Sequence, residues 1–124
     1  MIMWSTSLQL FSEHPFTGVG TGDVRDALDQ RNRELGNIGV VEHSLNAHNQ
    51  YLNTGVQLGL LGLVPMLLAF FTSLAIAIRR RNLILLITTS VFMLTMLFES
   101  FLETQAGLIP VTLLILLISL KSIE

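Results

Sequence analysis

His48-Asn49-Gln50-Tyr51-Leu52-Asn53-Thr54-Gly55 leads directly into Val56-Gln57-Leu58-Gly59-Leu60-Leu61-Gly62-Leu63, so a polar cluster precedes a long apolar segment. No Asp, Glu, Lys or Arg occurs between Glu42 and Arg79. Residues 58–78 alone can cross a hydrocarbon core of roughly 30 Å, because a helix rises about 1.5 Å per residue. The sequence therefore predicts a membrane-spanning helix with polar side chains at its entry, and any chemistry should lie at this border.

Composition divides the chain of 124 residues into two parts. Apolar residues make up 51% and charged residues only 13% of the sequence, whereas soluble domains usually contain about 25% charged residues. Of the 7 Lys and Arg and 9 Asp and Glu residues, nine lie in residues 1–54 and seven in residues 55–124. We predict that residues 1–54 form a segment outside the membrane with two or three short helices, and that residues 55–124 form a three-helix transmembrane segment.

Two further apolar runs follow the first span. These runs are Leu83–Phe98 and Ala106–Leu120, and they are bounded by the polar breaks Arg79–Arg81 and Glu99–Gln105. The three arginines predict a cytoplasmic position for the first break, because positively charged loops stay inside. Residues 1–54 and the second break then lie on the opposite face. The predicted fold class is an all-α helical membrane protein.

The N-terminal part predicts two short helices. In residues 1–12 four apolar side chains share one helix face: Met1, Trp4, Leu8 and Phe11. This pattern fits either an interfacial helix or an ordinary buried one. A second helix is predicted from Thr21 or Asp23, either of which can cap it, to about Leu35, because Gly36 then ends it.

The long apolar helix and the segment before it carry further markers. Residues 36–44 predict a loop, and Ser44 or Asn46 could cap the helix that follows. Three glycines give this helix a side of small residues, where another helix can approach closely: Gly55, Gly59 and Gly62. Pro65 predicts a kink in the span or a position near its entry.

The segment outside the membrane needs a route across it. Residues 1–11 lack the basic start and the continuous apolar core of a signal peptide. We therefore expect transmembrane helices upstream of this chain, which would make it the C-terminal portion of a larger polytopic protein.

A glycine-rich loop lies between the two N-terminal helices. It has the sequence His-Pro-Phe-Thr-Gly-Val-Gly-Thr-Gly over residues 14–22. Gly18 and Gly20 can present backbone N–H groups to a phosphate. The loop lacks the Lys and Ser/Thr of a P-loop and the preceding strand of a dinucleotide fingerprint. An ordinary loop is the alternative interpretation.

Three motifs in this order resemble the C-terminal half of the O-antigen ligase and O-antigen polymerase superfamily. They are His14-Pro15-Phe16-Thr17-Gly18-Val19-Gly20, His48-Asn49-Gln50-Tyr51-Leu52 and Gly59-Leu60-Leu61-Gly62-Leu63, and the resemblance extends from Trp4 through the segment with Glu99. It implies a polytopic helical membrane bundle that transfers glycan from an undecaprenyl-diphosphate carrier to a sugar hydroxyl, with no metal or other cofactor. The implied acceptor is a lipid A-core sugar or the growing glycan.

The resemblance also implies a location and a catalytic residue. It places the chain in the bacterial inner membrane as a multi-pass protein, with residues 1–54 facing the periplasm or the cell exterior. It implies that His48 is catalytic, and histidine suits this reaction because it can take a proton from a hydroxyl near neutral pH. Without the resemblance, a capping or interfacial histidine is the alternative interpretation.

Several polar residues are candidate substrate contacts. Asn49, Tyr51 and Asn53 could bind sugar hydroxyls, although Tyr51 also fits a membrane-interface anchor. Arg25 is the preferred candidate for the diphosphate, ahead of the two later arginines of its helix, because an arginine fork pairs with two oxygens. A solvated helix face is the alternative for these arginines.

The sequence supports neither a metal site nor a nucleic-acid partner. The spacing of His14, His43 and His48 matches no zinc pattern, so no metal site is predicted. A net charge of −2 without a basic stripe makes nucleic acid an unsuitable partner. Arg79–Arg81 are expected to contact anionic membrane lipid.

Glu99 and Glu103 lie one helical turn apart at the outer end of the second span. Ionisable residues at that depth either serve a function or mark the water boundary. Two alternatives compete with glycan transfer for the whole chain. One is a truncated non-catalytic membrane segment that packs with partner helices, and the other is part of a transporter whose path a kinked helix and a carboxylate would line.

Overall fold

The computed structural model describes residues 2–42, 48–103 and 107–113, and every regular element in these ranges is helical. The α-helices are α1 (Ile2–Glu13), α2 (Val24–Glu34), α3 (Ile38–Glu42), α4 (Gln50–Arg79) and α5 (Leu83–Thr95). A 3₁₀ turn follows at Phe101–Glu103, and residues 107–113 are helical as well. The prediction of an all-helical chain is confirmed in these ranges.

α1 and α2 pack on each other and on the start of α4 around a small apolar core. Its buried side chains are Leu10, Val24, Leu28 and Val56. Burying such a side chain contributes roughly 1.5–3 kcal/mol, so these four hold the N-terminal helices against α4. α1 approaches α4 closely at Gly55, where an added Cβ would lie 3.2 Å from the ring of Phe11. The predicted close approach of another helix is therefore observed at Gly55.

A buried polar network also joins α1 to α2. Oγ1 of Thr6 donates to Oδ1 of Asn32 at 3.0 Å, and Nδ2 of Asn32 donates to the carbonyl of Leu28 at 2.9 Å. Thr6 and Asn32 are fully buried. By contrast, the predicted apolar face of α1 leaves Trp4 39% and Leu8 52% exposed. Of that predicted face, Phe11 packs against the core, whereas Trp4 and Leu8 do not line it.

α2 ends as predicted, but the segment after it differs from the prediction. Gly36 has a φ of +75°, and Leu35 just before it is 47% exposed. The loop predicted over residues 36–44 is wrong for residues 38–42, which form α3. Five residues are too few to show a helical period, so the sequence pattern did not indicate this short helix.

α4 is the helix, within the described ranges, that is long and apolar enough to cross a membrane. It has 30 residues and begins at Gln50. Its N-cap is Asn49, whose side chain accepts the N–H of Leu52 at 3.0 Å. The predicted caps, Ser44 and Asn46, lie outside the described residues. The helix predicted for the first span is thus confirmed in length and composition.

α5 runs back along α4 but is too short to count as a second span of full length. It has 13 residues and ends at Thr95, three residues before the predicted Phe98. The hydroxyls of Ser73 and Thr89 lie 3.0 Å apart and link the two helices. Residues 114–120, in the predicted third span, lie outside the described residues. Three spans, their orientation and the division at residue 54 therefore stay predictions.

Candidate functional site

α4 contains a break at Gly59, and the glycine-rich loop fills it. Gly59 has φ +60° and ψ −153°, far from helical values. In an unbroken helix the carbonyls of Val56 and Gln57 would accept N–H groups from four residues further on. Here they accept the N–H groups of Val19 at 2.8 Å and Gly20 at 3.0 Å.

The same loop supplies carbonyls to the other side of the break. The N–H of Leu60 donates to the carbonyl of Pro15 at 2.7 Å, and the N–H of Leu61 donates to that of Phe16 at 3.1 Å. Four bonds from the loop thus replace helical bonds that the break removes, which keeps these backbone groups paired. The departure from helical geometry lies here and not at Pro65, which is accommodated within the helix.

Two glycines make this close approach possible. A Cβ on Gly18 would lie 2.4 Å from the carbonyl carbon of Gln57, and a Cβ on Gly59 would lie 2.4 Å from that of Phe16. Both glycines also have positive φ, which side chains disfavour. The loop and the helix therefore meet backbone to backbone.

The N–H groups of Gly18 and Gly20 are bonded within the chain. Gly18 donates to the carbonyl of His14 at 3.0 Å, and Gly20 donates to that of Gln57. The first bond closes a turn within the loop, and the second joins the loop to α4. A contact from Gly18 or Gly20 to phosphate stays a prediction.

The segment that follows α5 packs along the first turn of α4. The N–H of Gln50 donates to the carbonyl of Met96 at 2.8 Å, and the side-chain oxygen of Gln50 accepts the N–H of Leu102 at 2.8 Å. The hydroxyl of Tyr51 donates to the carbonyl of Met93 at 2.9 Å. The start of α4 and the end of α5 are thereby held in one arrangement.

This arrangement brings His48 to Glu99. Nδ1 of His48 lies 3.3 Å from one carboxylate oxygen of Glu99 and 3.4 Å from the other. The side chains are 54% and 48% exposed. His48 has a φ of +43°, which is uncommon for a residue other than glycine. Such exposed pairs contribute only about 0–1 kcal/mol to stability, so the pair is a better candidate for chemistry than for holding the fold together.

Asn49 and Tyr51 both use polar atoms inside the chain. Asn49 is 5% exposed, and besides capping α4 it donates from Nδ2 to the carbonyl of Leu97 at 3.1 Å. The Tyr51 hydroxyl is bonded to the end of α5, as described above. These bonds fix the backbone around His48. The predicted sugar contacts of Asn49 and Tyr51 stay predictions.

A second polar cluster lies next to this pair. Oε1 of Glu103 accepts hydrogen bonds from Nδ2 of Asn53 and from Nε2 of Gln57, the latter at 2.5 Å. Asn53 is buried, Gln57 is half-buried and Glu103 is exposed. We call these three residues the amide–carboxylate cluster. It attaches the 3₁₀ turn to the second and third turns of α4.

The arginines of α2 differ in their surroundings. Nη2 of Arg31 lies 2.5 Å from a carboxylate oxygen of Glu13, and Nε lies 3.5 Å from one of Glu34. Arg25 is exposed and forms no ion pair with any residue of the described ranges. Because Gly20 bonds to α4 just before α2 begins, the end of α2 that carries Arg25 lies beside α4.

Sequence reasoning identified Glu99, Glu103, His48 and Asn53 but did not predict which of them are in contact. The contacting residues lie 46 to 51 residues apart, and no local pattern connects them. Gln57 was not among the predicted residues. Its spacing could have indicated it, because amide side chains recur every four residues at Asn49, Asn53 and Gln57. Residues at this spacing share one helix face.

The parts of the chain that the structure describes hold no group of three His, Cys, Asp or Glu residues suited to a metal ion.

A family model described as O-Antigen ligase matches residues 1–67, slightly more than half of the chain. The match includes the glycine-rich loop, His48 and the break at Gly59, and it ends before Glu99 and Glu103. Comparison with curated proteins gave no match, and comparison with solved structures gave none either. The resemblance carried by the three motifs is confirmed, and the chain belongs to the O-antigen ligase family.

Proposed function

We propose that this protein is part of a membrane glycosyltransferase that moves a glycan from an undecaprenyl-diphosphate carrier to a sugar hydroxyl. Family membership supports transfer of the O-antigen ligase or polymerase type, and the long apolar α4 supports a membrane protein. The single observation that carries a mechanism is the contact between Nδ1 of His48 and the carboxylate of Glu99. The acceptor is a lipid A-core sugar in a ligase and the growing glycan in a polymerase.

His48 would act as the general base. With a proton on Nδ1 donated toward Glu99, the lone pair of the imidazole lies on Nε2. Nε2 takes the proton of the acceptor hydroxyl, whose oxygen bonds to the anomeric carbon. The bond between that carbon and the carrier's phosphate oxygen breaks, and undecaprenyl diphosphate leaves with the electron pair. Glu99 holds the tautomer and stabilises the imidazolium that forms, as a carboxylate does in other histidine-based catalysts.

Arg25 would bind the diphosphate. Its guanidinium is exposed, on the end of α2 that the glycine-rich loop brings beside α4. A planar arginine fork can donate two hydrogen bonds to phosphate oxygens, which offsets the negative charge of the leaving group. Arg31 is the weaker candidate because Glu13 and Glu34 already neutralise it.

The other predicted substrate contacts would be made by polar atoms that the hydrogen bonds described above do not occupy. Asn49 has a second amide hydrogen, and the hydroxyl oxygen of Tyr51 can accept while its hydrogen donates. Gly18 and Gly20 would contribute through the position of the loop backbone at the headgroup level.

We further propose a bacterial inner-membrane location with several spans. Residues 1–54 would face the periplasm, where the lipid-linked glycan is consumed, and Arg79–Arg81 would lie in the cytoplasm. The support is the asymmetry of basic residues around α4, which has three arginines at its C-terminal end and no Lys or Arg between residues 34 and 78.

Loss of His48 tests the mechanism. The protein is expressed from its own gene in cells that lack their own O-antigen ligase and polymerase, and membrane preparations are assayed for glycan transfer from lipid-linked donor. His48→Ala should lower the transfer rate by about 10²- to 10⁴-fold, the usual contribution of a general base. Glu99→Gln should lower it by about tenfold to 150-fold, which corresponds to the 1.5–3 kcal/mol of a hydrogen bond to a charged group.

Glu34→Gln is the matched control, because it removes an exposed carboxylate that belongs to α2 and lies apart from His48 in the contacts described. It should transfer glycan at the wild-type rate. Unchanged transfer by His48→Ala would remove His48 from the mechanism. Absence of transfer by the wild-type protein, under conditions where a known ligase is active, would favour a non-catalytic membrane segment or a transporter part.

A further inference from the structure

The amide–carboxylate cluster is arranged so that only one side of its carboxylate is used. Both side-chain amides, from Asn53 and Gln57, donate to the same atom, Oε1 of Glu103. Oε2 of Glu103 accepts no hydrogen bond from any residue of the described ranges, and neither does the side-chain oxygen of Gln57. Glu103 is exposed, so its second oxygen can meet a ligand.

The cluster lies close to the proposed catalytic pair. Asn53 is four residues beyond the cap Asn49, which is about 6 Å along the axis of α4. Glu103 likewise follows Glu99 by four residues, in a segment that bonds to the first turn of α4. A pyranose whose hydroxyl meets His48 would therefore extend toward Glu103 and Gln57, the two residues of the cluster that are not buried.

The chemistry of the cluster fits neutral sugar hydroxyls. The second carboxylate oxygen of Glu103 and the amide oxygen of Gln57, on side chains that are hydrogen-bonded to each other, can accept two hydroxyl hydrogens from the same ring. The two amide donors already hold Oε1, so the carboxylate is fixed before a ligand arrives, which reduces the entropy lost on binding. A cation is a less suitable ligand than a sugar here. In the described contacts the neighbours of Glu103 are two neutral amides, and no second acidic residue is among them.

We propose that Glu103, Gln57 and Asn53 form a subsite that binds the hydroxyls of a neutral sugar in the glycan substrate and sets its position relative to His48. This inference rests on the proposed glycan transfer. Glu103 and Gln57 contact the sugar, and Asn53 holds Glu103 in place. The subsite affects sugar affinity, whereas His48 affects the chemical step.

Sugar binding can be measured separately from transfer. The detergent-solubilised protein is titrated with methyl β-D-galactopyranoside, methyl α-D-glucopyranoside and N-acetylglucosamine, and binding is followed by saturation-transfer difference NMR. At least one of these sugars should give signals with the wild-type protein and with His48→Ala. Glu103→Gln should weaken the affinity at least about tenfold, as expected for loss of a hydrogen bond to a charged group.

Two further variants keep the test independent of folding. Gln57→Met has nearly the same shape as glutamine but no amide, so it should weaken sugar binding while Asn53 still holds Glu103, and a cooperative thermal unfolding transition would show that the variant is folded. Glu34→Gln should leave binding unchanged. Equal affinity in the wild type, Glu103→Gln and Gln57→Met would overturn the subsite, as would no binding of any of the three sugars. Binding that disappears with EDTA and returns with Ca²⁺ would also overturn it in favour of a cation site.

Transfer kinetics separate this inference from the proposed function. With rough lipopolysaccharide as the acceptor, Glu103→Gln should raise KM at least about tenfold with a smaller change in kcat. His48→Ala should mainly lower kcat. Sugar binding that depends on Glu103 in a protein without transfer activity would support the subsite and refute the proposed function. Transfer that requires His48 but gives the same KM in Glu103→Gln would support the function and refute the subsite.

Discussion

The backbone N–H of Leu60 donates to the carbonyl oxygen of Pro15 at 2.7 Å, although 45 residues separate them in the chain. This bond is one of four through which the glycine-rich loop takes the place of helical hydrogen bonds at the break in α4. The segment predicted to lie outside the membrane and the helix predicted to cross it are therefore joined through their backbones. The first prediction concerns this junction.

Gly59→Ala should destabilise the junction. The φ of +60° and ψ of −153° belong to a region that essentially only glycine occupies, and a Cβ would also meet the backbone of Phe16. The strain alone corresponds to about 1–3 kcal/mol. Thermal unfolding of the detergent-solubilised protein should show a lower Tm. Gly22→Ala is the control, since a Cβ there has no atom within 4 Å, and an equal Tm for the two variants would contradict this account.

Asn32→Ala should destabilise the packing of α1 on α2. The substitution removes an acceptor for the buried hydroxyl of Thr6 and the donor to the carbonyl of Leu28. Buried polar groups left without these bonds correspond to a loss of about 1–3 kcal/mol in the free energy of unfolding. Gln30→Ala, at an exposed position of the same helix, should stay within about 0.5 kcal/mol of the wild type. Chemical denaturation of both variants checks the difference.

Two substitutions at Asn49 should separate its two hydrogen bonds. Asn49→Ala removes both the cap of α4 and the bond to Leu97, and loss of the cap alone lowers stability by about 0.5–2 kcal/mol. Asn49→Asp keeps an acceptor for the cap but loses the donor to Leu97. We expect the Tm of Asn49→Asp to lie between those of the wild type and Asn49→Ala. Equal Tm values for both variants would mean that the cap contributes nothing.

Arg25→Ala should weaken use of the lipid-linked donor. If the guanidinium binds diphosphate, its loss removes charge-assisted hydrogen bonds and should raise KM for the donor at least about tenfold. Arg25→Lys should restore only part of the activity, because an ammonium cannot pair with two oxygens in the same way.

Arg33→Ala is the control for Arg25, as it removes another exposed arginine of α2. Its KM for the donor should match the wild type. A similar increase in both alanine variants would indicate a general electrostatic effect of α2 and not a diphosphate contact at Arg25.

Local patterns predicted the helices well wherever a cap or a stop residue was present. α2 starts after Asp23 and ends before Gly36 at the predicted positions, although the Asp23 side chain forms no capping hydrogen bond. The long apolar helix was equally clear, because its composition alone identifies it. α3 was missed because a single turn has no period, and the cap of α4 was placed too early because Asn49 lies within the polar cluster.

The site could be predicted only in part. The motifs and the resemblance led to His48, but its contact with Glu99 depends on how α5 turns back along α4. The role of the glycine-rich loop was also hidden. Its glycines suggested phosphate binding, whereas the structure uses their N–H groups to pair with Gln57 and His14. Backbone pairing between distant segments has no signature in either segment alone.

The four backbone hydrogen bonds between the glycine-rich loop and α4, here called the clasp, also limit where this sequence can gain or lose residues. One insertion within 15–20 or within 56–61 would shift the bonded groups on one side of it against their partners, or would add bulk beside a glycine contact. Between Gly36 and His48 no such register is imposed by the bonds described. Relatives of different length should therefore align without gaps in both clasped stretches, and their insertions should concentrate between α2 and α4.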